Sequence, residues 1–247
     1  MKKIIWIDIG THEGQEYKSM FSSNLWFIFR FFRTFVSSSL FRRNKFIGFK
    51  QSLLIFNNRK RIKKARSNFR VVFIEANSYH FHLEVYRHSD DNFCFAMSDN
   101  SNGDLSIDRL YHANSNPKSQ GNSIYINKGN VSESSFTLCP VVSADSFAKS
   151  YKIFLDKTYE DYEIVLRINC EGSEDNVIYA FTKHFGDKFR NIFGSLKDVE
   201  NIKGETPYLN LIDHLILNKV KYIEFSPLFQ TWHIAHKEIV KIINNSN

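Results

Sequence analysis

The sequence predicts an α/β protein built on a mostly parallel sheet with helices on both faces, and two observations support that prediction. Apolar strand-like runs alternate along the chain with stretches of helical periodicity, which is the pattern of a sheet covered by helices. Two of these runs, 4–9 and 71–74, are continuously apolar or nearly so, as buried parallel strands are. The length of 247 residues fits one domain, 1–247, that carries an insertion at 21–68.

The predicted elements follow one another from the N-terminus. The strands are 4–9, 71–75, 93–97, 164–169 and 189–193, and the helices are 15–20, 79–87 and 174–184. Residues 100–133 are rich in Ser, Asn and Gly, which predicts an excursion: either a hairpin and loop over the edge of the sheet or a solvated surface loop. Near the C-terminus, 221–225 and 231–235 are interpreted as two closing, antiparallel strands, and 238–243 as a last helix.

Positive charge is concentrated in the insertion. The net charge is +7, but residues 18–66 hold 13 Lys/Arg and no Asp/Glu, so the remainder has 33 − 13 = 20 basic against 26 acidic residues. The apolar run 25–33 is too short and too charged to span a bilayer. Helices of this composition can bind an anionic membrane surface, bind nucleic-acid phosphates, or cap a substrate site. The plainer alternative is a solvated amphipathic cap.

Cysteine usage and the N-terminus predict a cytoplasmic protein. Cys94, Cys139 and Cys170 are odd in number and scattered, which fits neither a disulfide framework nor a zinc site. The apolar run at 4–9 is too short for a signal peptide. We expect a location in the cytoplasm, peripheral to the inner face of the membrane if the insertion binds lipid.

A short motif at the end of the first predicted strand carries the functional signal. Asp8, Gly10 and Gly14 form Asp-x-Gly-x-x-x-Gly, and Glu75 ends the next strand. The first glycine permits a tight turn, the second permits close approach to a ligand, and Glu75 can accept both ribose hydroxyl hydrogens. A carboxylate beside the turn would repel a pyrophosphate. The motif therefore favours S-adenosylmethionine (SAM), which carries a sulfonium, an ammonium and no phosphate.

Four further segments extend this motif in a fixed order. They are Phe-Ile-Glu-Ala-Asn at 73–77, Ala-Met-Ser-Asp at 96–99, Val-Ser-Ala-Asp-Ser-Phe at 142–147 and Ile-Asn-Cys-Glu-Gly-Ser-Glu at 168–174. Together, over residues 4–185 apart from the insertion, they resemble the FkbM family of SAM-dependent methyltransferases. Phe-Ser-Pro at 225–227 is similar to the closing strand of that family.

The resemblance implies a class I methyltransferase fold, with a Rossmann-like seven-stranded sheet of six parallel strands and one antiparallel strand. It also implies methyl transfer, usually to a hydroxyl of a sugar or a polyketide. Carried over by position, the cofactor residues are Asp8, Gly10, Thr11 and Gly14 at the methionine end, Glu75 and Ala76 at the ribose, and Ser98 and Asp99 at the adenine. Asn169, Glu171 and Glu174 would border the acceptor.

Three departures from the family pattern affect the chemistry. Asn169 stands where the family has Asp, Arg167 where it has Lys, and Ala76 where it has Pro. The first removes a possible general base or metal ligand, so other residues are candidates for the base. These are His12, Glu13, Glu171, Glu174 and His233. Glu171 could equally be a helix N-terminal carboxylate, and His233 is more simply a core histidine. Some sugar methyltransferases use a divalent metal, but no spacing here requires one.

The sequence thus predicts a SAM-dependent O-methyltransferase that acts on a sugar hydroxyl of a glycan or a lipid-linked saccharide. The catalytic candidates are Asn169, Glu171, Glu174 and His12. Two alternatives remain at this point. One is a nucleic-acid methyltransferase that uses the basic insertion, and the other is a non-catalytic SAM-binding protein, which the loss of an acid at 169 would allow.

Overall fold

The described residues of the computed structural model, 2–30, 32, 49–99, 103–224 and 232–246, form an α/β fold. A six-stranded sheet lies between two layers of helices, and a three-stranded sheet stands beside it. Every strand pair of the larger sheet is parallel. The predicted class and the mostly parallel sheet are therefore confirmed.

The elements are as follows. The strands are β1 (Lys3–Ile9), β2 (Phe69–Ile74), β3 (Asp91–Phe93), β4 (Ala96–Ser98), β5 (Leu105–Ala113), β6 (Val131–Ser143), β7 (Tyr162–Ile168), β8 (Phe189–Gly194) and β9 (Lys221–Glu224). The helices are α1 (Gln15–Phe21), α2 (Phe49–Lys64), α3 (Ala144–Thr158), α4 (Glu174–Phe185), α5 (Lys197–Lys203), α6 (Glu205–Leu217) and α7 (Trp232–Asn245). Residues 24–30 are also helical.

The strand order of the larger sheet locates its ligand edge. The order is β3-β2-β1-β7-β8-β9, so the chain first winds outward from β1 to β3 and then outward from β7 to β9 on the other side. This is the order of a Rossmann-type, doubly wound sheet. In such sheets a crevice opens beyond the carboxyl ends of the strands where the winding reverses, which here is between β1 and β7.

Alternation along β1 explains why its apolar run is continuous. Ile5 and Ile7 point to the face covered by α3, α4 and α6, whereas Ile4 and Trp6 point to the face covered by α1, α2 and α7. Successive strand residues point to opposite faces, so a strand with helices on both sides needs apolar side chains at every position. All four of these side chains are fully buried.

The second sheet brings an excursion back to the ligand edge. Its order is β4-β6-β5, with β4 parallel and β5 antiparallel to β6. Between β5 and β6 the loop 114–130 folds back, and Tyr111 and Ser123 exchange backbone hydrogen bonds of 2.8 and 3.1 Å. The excursion predicted over the edge of the sheet is therefore present.

Four predicted elements differ from the structure. The segment 232–235 is not a closing strand but the first turn of α7, since Trp232, Ala235 and Ile239 are buried with helical spacing. The strand β9 pairs in parallel with β8, and the antiparallel pairing within the described residues belongs to the second sheet. The predicted strand 93–97 divides between β3 and β4, and 79–87 forms two 3₁₀ turns, Ser78–His80 and Glu84–His88.

The described part of the insertion is helical, as predicted. Residues 24–30 and α2 pack on the α7 side of the sheet, where Phe27, Ile55 and Ile62 share one core with Trp232. Residues 31 and 33–48 of the insertion lie outside the described part. Across the helices that the structure describes, none combines the length and apolar character needed to cross a bilayer.

Candidate cofactor cleft

A cleft opens at the carboxyl ends of β1, β2 and β7, as the strand order requires. Its cavity volume is about 160 Å³, and it opens to solvent. The walls come from the turn after β1, the segment after β2, the strand β4 and the segment after β7. Residues 119–124 of the excursion also line it.

Gly10 lets the two central strands end close together. Its φ is +72°, and a Cβ there would lie 1.9 Å from the carbonyl oxygen of Asn169. The turn continues with Thr11, whose hydroxyl donates to the carbonyl of Asp8 at 2.8 Å. Gly10 and Thr11 both line the cleft, as predicted.

Gly14 has a different role from the one predicted. Its φ is +61°, and a Cβ there would come 2.6 Å from a methyl of Val85. Gly14 is outside the cleft lining. The second glycine of the motif therefore permits close packing of the turn on the segment after β2, not close approach to a ligand.

We expect Gly10→Ala to lower the free energy of unfolding by about 2–4 kcal/mol, because left-handed strain and overpacking each cost one to a few kcal/mol. Gly186→Ala is the matched control, since Gly186 has a φ of +49° but open space around its Cβ position. The control carries backbone strain without the clash, so it should lose less than Gly10→Ala, about 1–3 kcal/mol. Urea denaturation measures both, and equal losses would contradict the close approach to Asn169.

Glu75 is held at the end of β2 with its carboxylate facing the cleft. The backbone N–H of His12 donates to Oε2 at 2.7 Å, and that of Asn77 donates to Oε1 at 2.9 Å. Each oxygen keeps a second lone pair. Burial raises the pKa of Glu75, and the two N–H donors oppose that rise. Ala76 lines the cleft beside it.

The cleft is acidic. Four glutamates line it, Glu13, Glu16, Glu75 and Glu171; Glu16 pairs with Arg167, the one arginine of the lining, and Glu171 pairs with Lys128. The guanidinium of Arg167 is already engaged, at 3.1 Å from Glu16 and 2.6 Å from the carbonyl of Gly10. A ligand phosphate would therefore find no free cation among the described lining residues. The charge favours a cationic ligand.

Asp8 was predicted to line the methionine end, but it lies behind the turn and is fully buried. Its Oδ1 is 3.1 Å from Arg167 Nη1. Burial raises the pKa of Asp8 to about 7, although Arg167 opposes the rise. Asp8 and Glu16 thus both pair with Arg167, which lines the cleft. The role of Asp8 is therefore structural.

One part of the cleft lining is apolar, and we call it the apolar slot. Phe95, Ala96, Met97 and Leu110 line it. The predicted adenine residues, Ser98 and Asp99, lie beyond the lining, where the Ser98 hydroxyl donates to Asp99 at 3.0 Å. Leu110 was not predicted, because it belongs to β5 and reaches the cleft only through the second sheet.

Glu171 is a lining carboxylate with an unusual environment. It has a φ of +60°, contacts Lys128 through an ion pair, and accepts from Asn169 Nδ2 at 3.2 Å. Burial raises its pKa to about 7, and Lys128 opposes the rise. Asn169 and Glu171 both line the cleft.

Glu174 does not face the cleft, so its predicted place beside the acceptor is wrong. Its side chain is fully buried and accepts from the backbone N–H groups of Cys170 at 2.9 Å and Gly172 at 2.8 Å. This carboxylate closes the turn before α4, where the positive end of the helix dipole also stabilises it.

The rings of two histidines meet edge to face beside the turn after β1. The ring centroids of His12 and His80 are 4.0 Å apart, and Gln120 Nε2 lies 3.2 Å from His12 Nδ1. Burial lowers the pKa of both rings, that of His80 to about 4, so both are neutral at pH 7. His12 and His80 line the cleft, whereas His233 does not. His80 was not predicted, because it follows β2 outside any motif.

Within the described residues, no group of three or more His, Cys, Asp or Glu side chains is arranged to hold a metal ion.

No protein-family model, curated protein or solved structure matches this chain. The candidate site is thus a cleft lined by Glu75 at the end of β2, by Glu171 after β7, whose pKa is about 7, and by apolar side chains of and beside β4 and β5.

Proposed function

We propose that this protein is a SAM-dependent methyltransferase of the FkbM type. The observation that carries the proposal is Glu75, which keeps a free lone pair on each oxygen at the end of β2 in a cleft with four glutamates and one occupied arginine. A ribose fits the carboxylate. The acidic lining suits a sulfonium and an ammonium and disfavours a dinucleotide. The parallel order of the described strands agrees with a class I methyltransferase sheet.

In this proposal the cleft at the carboxyl ends of the strands would hold SAM. Met97 and Leu110 would contact the adenine, Glu75 would accept hydrogen bonds from the ribose hydroxyls, and the turn at Gly10 would hold the methionine end. Asn169 and Glu171 would border the acceptor.

The reaction is an in-line displacement. Bound SAM would supply the methyl group, which would pass from sulfur to the acceptor hydroxyl oxygen while the electron pair of the broken C–S bond stays on sulfur. The hydroxyl proton passes to the carboxylate of Glu171. A base with a pKa near the working pH is effective in this role, and the pKa of Glu171 is about 7. Asn169 orients that carboxylate through its amide hydrogen bond.

A sugar hydroxyl of a glycan or lipid-linked saccharide is the proposed acceptor. Besides the sequence motifs, amide side chains support it, since Gln120, Asn122 and Asn169 line the cleft and pair readily with hydroxyl groups. A nucleic-acid acceptor has less support, because the lining holds no free cation among the described residues. The closed ion pair between Glu171 and Lys128 favours the remaining alternative, a protein that binds SAM without transferring its methyl group.

Calorimetry with SAM and with NAD⁺ tests the proposal. We expect SAM to bind and NAD⁺ to bind at least tenfold more weakly. Glu75→Ala should weaken SAM binding by about 1–3 kcal/mol through the loss of charged hydrogen bonds. Glu84→Ala is the matched control, because Glu84 has an exposed carboxylate close by in the chain and should leave the affinity unchanged.

Unchanged SAM affinity in a folded Glu75→Ala variant would contradict the ribose assignment. Tighter binding of NAD⁺ than of SAM would contradict the cofactor. SAM binding without methyl transfer to a panel of free, nucleotide-linked and lipid-linked sugars would favour the non-catalytic alternative.

A further inference from the structure

The helical residues 24–30 and 32 carry an exposed apolar stripe. Leu25, Ile28, Phe29 and Phe32 are 80, 51, 69 and 65% exposed. Their spacing of i, i+3, i+4 and i+7 aligns them along one side of a helix. Four large apolar side chains in a row on the surface are more than scattered surface hydrophobes, and such a stripe marks an interaction site.

The opposite side of this helix is fixed to the protein. Phe27 is fully buried, with its ring centroid 5.9 Å from that of Trp232 and 5.1 Å from that of Phe56. Arg59 donates to Asn24 Oδ1 at 2.6 Å. The helix is therefore anchored through one face, and the apolar stripe points away from the core because the buried positions leave it no other direction.

The helix α2, which contacts residues 24–30 through Phe56 and Arg59, exposes two further groups of side chains. Its N-terminal half exposes Leu53 and Leu54, and its C-terminal half exposes Lys60, Arg61 and Lys64. Lys64 lies four residues after Lys60 and three after Arg61, so it is a neighbour of both on the helix surface. We call Lys60, Arg61 and Lys64 the basic cluster.

Only part of the positive charge of the insertion is available to a partner. Arg59 and Lys63 are turned inward and donate to the backbone carbonyls of Ser19 and Ser22, respectively. Arg66 donates to the carbonyl of His88. Among the side chains that the structure describes in this region, the basic cluster comprises the exposed Lys and Arg residues. No acidic residue occurs anywhere in 18–66 to neutralise them.

We propose that the apolar stripe and the basic cluster together bind the surface of an anionic lipid bilayer. The stripe enters the boundary between headgroups and acyl chains, and the cluster lies on the lipid phosphates. Interfacial helices combine these two features. Nucleic acid would engage the cations and leave the stripe in water, so charge complementarity together with the apolar stripe favours lipid. This proposal does not depend on methyl transfer.

Sedimentation with vesicles tests the proposal without any cofactor. The full chain is mixed with phosphatidylcholine vesicles that contain either no phosphatidylglycerol or about a third of it. We expect co-sedimentation with the anionic vesicles, a much weaker association with neutral ones, and a loss of association as salt rises, because screening weakens the charge term.

Two exposed-residue variants separate the contributions. Each cation near an anionic surface raises the partition coefficient onto the membrane about fivefold. The triple variant Lys60→Gln, Arg61→Gln, Lys64→Gln should therefore bind anionic vesicles on the order of 100-fold more weakly. Leu25→Ser with Phe29→Ser should weaken it at least about tenfold per side chain. Two matched controls change exposed residues elsewhere and should bind vesicles as the unmodified chain does. The control for the stripe combines Ile216→Ser with Leu217→Ser. The control for the basic cluster combines Lys149→Gln, Lys157→Gln and Lys219→Gln.

Three results would overturn the proposal. The first is indifference of the unmodified chain to anionic vesicles. The second is unchanged vesicle binding by the stripe variant, which would show that the stripe does not enter the bilayer. The third is a salt-sensitive gel shift on RNA that the basic-cluster variant abolishes and the stripe variant leaves intact, without vesicle binding, which would assign the surface to nucleic acid.

Discussion

Glu171→Gln is expected to lower kcat for methyl transfer by about 10²–10⁴-fold, the usual contribution of a general base. The amide keeps the shape of the carboxylate but cannot take the acceptor proton. The affinity for SAM should stay within about threefold, because Glu75 and the apolar slot hold the cofactor elsewhere in the cleft. Transfer of a labelled methyl group from SAM to the best acceptor of a sugar panel measures the first quantity, and calorimetry measures the second.

The same variant should also change how the rate of methyl transfer depends on pH. In the unmodified protein the rate should rise with pH through about 7, since the Glu171 carboxyl must lose its proton before it can act as a base and its pKa is about 7. Lys128→Met should move that rise to higher pH, because Lys128 lowers the pKa of Glu171. Glu171→Gln should abolish the rise, and Glu133→Gln, on an exposed strand position, should leave it unchanged. Full activity of Glu171→Gln would reduce Glu171 to a structural carboxylate.

Arg167→Met is expected to lower the free energy of unfolding by about 3–5 kcal/mol, the usual cost of breaking a buried ion pair by removing one partner. The guanidinium lies 3.1 Å from Asp8 and 3.1 Å from Glu16, and all three side chains are buried. Without the arginine, two carboxyl groups remain in a low-dielectric interior with no cation between them. Urea denaturation measures the loss.

Two further variants make this test specific. Arg190→Met removes a partly exposed cation that pairs with exposed Asp187, and it should cost about 1 kcal/mol or less. Adding Asp8→Asn and Glu16→Gln to Arg167→Met should restore part of the lost stability, because the carboxylates that the arginine neutralised are then gone. Equal losses of unfolding free energy for Arg167→Met and Arg190→Met would show that the buried ion pairs of Arg167 do not stabilise the protein more than a surface pair does.

Local features of the fold and the site could be predicted from the sequence. The continuous apolar runs of β1 and β2 are recognisable because helices bury both faces of those strands. Gly10 and Glu75 stand at strand ends, so their positions follow directly from where the strands stop. Both were predicted on the cleft and both line it.

Partners far apart in the chain could not be predicted. Asp8 and Arg167 are separated by 159 positions and Lys128 and Glu171 by 43, and no spacing rule joins such residues. The motif therefore suggested that Asp8 faces the ligand, whereas a buried arginine holds it. Lys128 comes from the excursion between β5 and β6, whose composition indicates only a loop.

The segment 232–235 illustrates a different limit. Over a few residues an apolar run fits a strand and a helix equally well. Only the longer pattern, with Trp232, Ala235, Ile239 and Ile243 buried on one side, identifies α7. The last helix was predicted at 238–243, six residues after its actual start at Trp232. Its first turn was therefore predicted as a strand.

The most direct test of the central claim is a crystal structure of the protein with S-adenosylhomocysteine, the product of the proposed reaction. We predict electron density in the cleft, with both ribose hydroxyls within hydrogen-bond distance of the Glu75 carboxylate and the adenine between Met97 and Leu110. A ligand bound elsewhere, or a ribose that makes no contact with Glu75, would contradict the assignment of this cleft as a SAM site.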